Sequence, residues 1–189
     1  MPKMLQRNLS IAALTTIIGL GVVAPTLSVL AAPQQQPDRI SQLRYENYQI
    51  NPVYKGKPAA LVVNTQEKQD YAPQLREGIK KGTNFAGHYA IAYLDRAMGG
   101  VGSAGIVDLK TGKIYLPPQL HGYHDQRGAG YTPPRPDGGL HYKANTKLLI
   151  IIGQPGGNDG QKGIGKFYYK WENNQLKLIT FVDSPYQSQ

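Results

Sequence analysis

Hydrophobic and polar positions change their spacing along this chain, and the change divides it into three stretches. Ile11 to Val23 is an almost continuous apolar run without charge, preceded by Lys3 and Arg7 and followed by the small residues of Val29-Leu30-Ala31. From Asp70 to Gly82 the spacing is helical. Pro73 sits in the first turn, Leu75 and Ile79 share a face, and Lys80 and Lys81 precede Gly82. Asp70 as N-cap, cations at the negative end and a closing glycine predict a helix near residues 69 to 81. The segment before it is mixed. Arg39 to Tyr48 fits a short helix or a strand, and Val53 to Asn64 reads as strand broken at Gly56 and Pro58.

Beyond the helix the period falls to two. His88 to Leu94 reads as a strand. Ile106 to Leu109 and Lys113 to Leu116 flank Lys110-Thr111-Gly112, a turn whose glycine accepts positive φ. Leu140 to Lys143 and Lys147 to Ile152 flank Ala144-Asn145-Thr146. The five apolar residues Leu148 to Ile152 predict a strand buried on both faces. Phe167, Tyr169 and Trp171 alternate with Tyr168, Lys170 and Glu172, and after Asn173-Asn174 the run Leu176 to Val182 answers them. The expected fold is α+β: mainly antiparallel sheet in three successive hairpins, with one N-terminal helix. Two irregular insertions interrupt it, Pro117 to Gly139 and the glycine-rich Gly153 to Gly165.

A basic start, an apolar core and small residues make the tripartite layout of a secretory signal peptide, cleaved after Ala31. The expected organisation is signal peptide 1–31, disordered leader 32–38, and one domain over 39–189. An uncleaved anchor is the competing reading, because Leu9 to Ala32 is long enough to span a bilayer. Cleavage leaves 158 of the 189 residues, enough to bury about 70% of the unfolded surface without staples. Cysteine is absent. That removes disulfides, thiol catalysis, thiolate metal sites and lipid attachment at a cysteine. The formal charge is +9, or +7 without Lys3 and Arg7. A basic exported domain is drawn to anionic surfaces of the cell envelope. Export and the lack of a recognition motif set nucleic acid aside. The expected localisation is periplasmic or secreted, as a monomer that meets the membrane only through its signal segment.

Candidate chemistry concentrates in the second half. All four histidines lie between residues 88 and 141. His121, His124, Asp125 and His141, with Asp137 nearby, are ligand types for Zn²⁺, but they lack the helical His-Glu-x-x-His spacing of a metalloprotease. His88, Ser103 and Asp108 (or Asp95) are the residue types of a nucleophilic triad. Ser103, however, stands in no nucleophile elbow, because Val101 occupies the first glycine position. Gly100 to Gly105 matches G-x-G-x-x-G literally, yet the strand that follows denies it the helix a dinucleotide needs. It reads as a turn, and no cofactor is expected. Lys110-Thr111-Gly112 lacks the Ser-x-x-Lys partner of penicillin-interacting enzymes and also reads as a turn. The few glutamates stand in polar contexts, so paired carboxylates for glycoside hydrolysis find no support.

Tyrosine is abundant, thirteen in all. Tyr123, Arg127, Tyr131 and Arg135 lie in the long insertion, where flat amphipathic rings and guanidinium groups serve as contacts to a partner. The leading expectation is non-catalytic binding of an anionic polymer or protein. The runner-up is a hydrolase or metal-dependent enzyme using the histidines.

Asn84-Phe85-Ala86-Gly87-His88-Tyr89, followed by Val107-Asp108-Leu109-Lys110-Thr111-Gly112-Lys113, resembles a group of small exported bacterial proteins without an established activity. That group carries F-A-G-H-Y, then a W-G-C-G-x-x-C turn, then a V-D-x-x-T-G-K-V hairpin. The likeness spans most of the chain after the signal. It fails at the turn, where Leu94 to Gly100 replaces the tryptophan and both cysteines. What it implies is an exported domain with His88 as the position of interest.

Overall fold

The computed structural model describes residues 42–96, 100–125 and 138–183. The expected signal peptide and leader, together with Arg127, Tyr131, Arg135 and Asp137, lie outside the described residues. Two four-stranded antiparallel sheets make up the fold. Strand β1 (Tyr89–Arg96) pairs with β2 (Val101–Asp108), which pairs with β3 (Ile114–Tyr115) and, further along, with β4 (Tyr123–His124). The second sheet runs in chain order: β5 (Gly139–His141), β6 (Leu148–Gly153), β7 (Gly165–Glu172), β8 (Gln175–Asp183).

The expected hairpins form where their turns demand. Gly112 takes φ +75 and returns its N–H to Asp108 O at 2.8 Å. Asn173 and Asn174 both take positive φ, the two-residue turn that matches the twist of the flanking strands. Strand β6 lies between two partners with five of its six residues buried, as its aliphatic run predicted.

The helix departs from expectation. It comes as two segments, α1 (Gln66–Asp70) and α2 (Ala72–Ile79), joined at Tyr71. Thr65, not Asp70, is the N-cap, its hydroxyl accepting from Lys68 N–H at 3.3 Å. Asp70 ends α1 and accepts from Gln66 Nε2. The good helix formers Gln66 to Gln69 carry the helix upstream. Pro73 brings no N–H to bond Gln69 C=O, so the ladder breaks there. Val53 to Asn64 forms no strand either. Gly56 and Pro58 prevent a ladder, and the segment attaches by single bonds, Tyr54 N–H to Gly87 O, Ala59 N–H to Leu109 O and Val62 N–H to Gly112 O.

Period-two burial builds three layers. One face of the first sheet (Ala90, Ala92, Leu94, Val107, Leu109) receives Leu75 and Ile79 of α2. The helix comes close because Gly78 has no side chain: a Cβ there would lie 2.3 Å from Ala92 Cβ. The opposite face (Tyr89, Ile91, Ala104, Ile106) packs on Leu149, Ile151, Phe167, Tyr169 and Trp171 of the second sheet. The described parts of the two insertions also hold more regular structure than their composition suggested. Leu120 and Tyr123 enter this second core, and Gly157–Lys162 winds into a 3-10 helix. Among the described residues, no helix is long and apolar enough to cross a membrane.

Candidate functional site

The segment Phe85 to Tyr89 ties the two sheets together and aims one imidazole outward. Phe85 and Tyr89 exchange N–H···O bonds at 3.0 and 2.9 Å, closing a tight loop. Closure forces Ala86 to φ 43, a left-handed conformation that costs an L-residue about 1 kcal/mol. The second sheet offsets that cost. Ala86 N–H reaches Thr146 O at 3.1 Å, and Gly87 N–H reaches Ala144 O at 2.7 Å. The backbone of His88 is then fixed by Leu109 N–H, which donates to its carbonyl at 2.9 Å.

With its backbone pinned, His88 stands beside the residue opposite Tyr89 in the ladder, Asp108. The gap from His88 Nε2 to Asp108 Oδ1 is 3.8 Å, an electrostatic contact longer than a hydrogen bond. The imidazole side chain is 26% exposed and lies on the Tyr89 ring, centroids 4.2 Å apart. Burial lowers its pKa below the ordinary 6.5, the Asp108 carboxylate opposes that, and the ammonium groups of Lys110 and Lys147 lower it further. Asp108 is itself occupied, because Oδ1 accepts from Lys110 N–H at 2.9 Å. The imidazole is therefore the neutral, half-buried centre of a patch with two lysines and one carboxylate already in use.

An aromatic group backs this patch. Tyr89 stands edge-on to Trp171 at 5.3 Å, and Trp171 to Tyr115 at 5.5 Å. The Tyr89 hydroxyl donates to Asn174 Oδ1 at 3.0 Å, and burial raises its pKa. Asn174 and Tyr115 also line a recess of about 490 Å³, with Lys68 and Gln175 on its rim.

The triad types do not assemble. Ser103 precedes Asp108 by five positions on the same strand, roughly 16 Å at the strand rise and on the opposite face. Its hydroxyl is buried and accepts from Gly122 N–H at 3.2 Å. The metal types do not assemble either. His121 is exposed after a 3-10 turn, His124 pairs through its backbone with Gln154, Asp125 is buried, and His141 stands opposite Ile150 in the other sheet. Among the described residues no three histidine or acidic side chains form a group able to hold a metal ion.

Tyr123 requires correction as a contact residue. It is 1% exposed, and its ring fills the space over Gly102. Its place in the long insertion suggested an exposed ring, whereas the short β4 turns it into the core. The residues missed by sequence reasoning are Lys110 and Lys147 as neighbours of His88, and Asn174 as partner of Tyr89. Lys147 had no sequence signal, since it arrives from the other sheet. Comparison with protein-family models, curated proteins and solved structures finds no match.

Proposed function

We propose that this chain is an exported, non-catalytic binding protein of the periplasm or extracellular space. Its partner is an anionic polymer or a protein presenting an acidic group, and His88 with Lys110 and Lys147 receives that group. The observation that carries the reading is the half-buried His88 imidazole, 3.8 Å from a carboxylate already bonded to Lys110 N–H and within the field of the Lys110 and Lys147 ammonium groups. An incoming anion meets a positive field and an imidazole that can take up a proton on binding. The overall charge, +7 once Lys3 and Arg7 leave with the signal, adds long-range attraction. Arg127, Tyr131 and Arg135 extend the reading by residue type. The likeness to small exported proteins with F-A-G-H-Y, and the N-terminal apolar run, support the compartment.

The enzyme reading keeps one favourable observation, the imidazole and carboxylate 3.8 Å apart. The hydroxyl expected to act with them, that of Ser103, is held on the opposite face of β2.

Retention on immobilised heparin and on poly-glutamate tests the binding reading. Wild type should bind at 50 mM salt and release as screening rises. Lys110→Glu with Lys147→Glu should weaken retention at least tenfold while leaving the far-ultraviolet circular dichroism unchanged. Equal retention of the folded double variant refutes the reading.

A further inference from the structure

Strand β1 is the outer strand of the first sheet, and its free edge is already half occupied by a side chain. Asn84 Oδ1 accepts from Ile91 N–H at 2.7 Å, and Asn84 Nδ2 donates to Ile91 O at 3.0 Å. A carboxamide is a single peptide unit, so Asn84 supplies one rung of a strand that is otherwise missing. Directions alternate along an antiparallel strand. Tyr93, two residues on and opposite Ala104, therefore turns its N–H and C=O to the same free side as Ile91, immediately before the ladder shifts register between Tyr93 and Asp95. A groove of about 450 Å³ opens there, between Tyr93, Tyr142 and the α2 residues Glu77, Gly78 and Lys81. Tyr93 is 44% exposed, one of two large hydrophobic side chains so placed among the described residues.

We propose that this groove takes an extended acidic peptide from a partner protein, added to β1 as an extra strand that continues from Asn84. The outward backbone groups of Tyr93 ask for another backbone, which a small ligand does not provide at ladder spacing. The Tyr93 and Tyr142 rings give an apolar seat for one side chain of the incoming strand. Charge selects the class. Glu77 is engaged by Lys80, whereas Lys81 is exposed without an ion-pair partner among the described residues. The groove is therefore positive where the peptide's alternate side chains pass. A second copy of the chain is the disfavoured occupant. Pairing β1 with β1 would bring together two Lys81 side chains and two strongly basic chains. This site is separate from the His88 patch, and its test does not depend on that patch.

A phage library of randomised linear nonapeptides, panned against the whole domain, supplies the probe. Enriched peptides should be acidic, and a synthetic copy should slow amide exchange of Tyr93 at least tenfold. N-methylation of alternate residues in that peptide should abolish binding. Tyr93→Pro should do so too, and an outer strand tolerates it because the N–H removed points away from β2. Lys81→Glu should weaken binding at least tenfold and tests the charge argument without touching the strand. No enrichment, protection elsewhere, or equal binding of the N-methylated peptide overturns the proposal. A concentration-dependent dimer in sedimentation that protects Tyr93 overturns it in favour of the second copy.

Discussion

Replacing Thr146 by valine removes one oxygen and tests how the two halves of the molecule are joined. Thr146 is fully buried. Its hydroxyl accepts from Leu148 N–H at 3.2 Å and lies 3.3 and 3.2 Å from the carbonyls of Tyr45 and Tyr48, to one of which it donates. Valine has the same shape without the oxygen. Leu148 N–H is then left unpaired in a buried place, which costs about 1–3 kcal/mol, and the donated bond is lost at about 0.5–1.5 kcal/mol. The Tyr48 carbonyl keeps Lys147 N–H at 2.9 Å, which limits the damage there. The sum is about 1.5–4.5 kcal/mol, or a Tm lowered by about 3–18 °C in a domain of this size. Thr146→Ser keeps the oxygen and loses one methyl, about 1 kcal/mol and a few degrees. Calorimetric melts of both variants decide the matter. Equal losses in the two, or a larger loss in serine, would mean that packing, not hydrogen bonding, holds this point.

The His88 imidazole should titrate below pH 6.5 by proton NMR. Asp108→Asn should lower the midpoint further and Lys147→Met should raise it, since the carboxylate favours the charged form and the ammonium opposes it. A midpoint above 6.5 would contradict the burial that dominates. Because the folded value is depressed, the unfolded chain binds the proton more readily. Stability should therefore be full above about pH 6.5 and fall as acid carries the pH through the folded value. Gly112→Ala should cost about 3 kcal/mol or more in urea melts, since a Cβ at φ +75 would lie 1.8 Å from Ala60 O. Gly82→Ala, at φ +79 with open space around it, should cost about 1 kcal/mol, and parity between the two would refute the clash. Tyr169→Phe removes the 3.2 Å donation to Asp159, which keeps Gln119 Nε2 at 3.3 Å. A loss of about 1–2 kcal/mol is expected, again by urea melts.

The hairpin turns and the last strand pair were readable because their information is local. Gly112 and the Asn173-Asn174 pair announce their turns, and strict alternation from Gly165 to Glu172 reproduces the burial residue by residue. Other elements were misjudged for different reasons, among them Gly100 to Gly105, read as a turn although strand β2 begins at Val101. Tyr123 reads as a loop ring because two strand residues are too few to show a period, and its partner in β2, Gly102, lies twenty-one residues upstream. The start of the helix was misplaced because Asp70 and Thr65 are both acceptable caps, and the choice depends on the four residues between them. At the candidate site, the nearness of His88 to Asp108 follows from the β1–β2 register and was within reach of the sequence. Lys147 was not, because a hairpin in the second sheet delivers it.

Those same cross-links bear on how the chain acquires its shape. The amides of Ala86 and Gly87 find their acceptors some sixty positions later, at Ala144 and Thr146. The half that carries the bend is synthesised first and must wait for those acceptors, so fixing the bend against the second sheet should be a late and comparatively slow event. Any quality-control protease acting in that interval would meet the Phe85–Tyr89 stretch while it is still open.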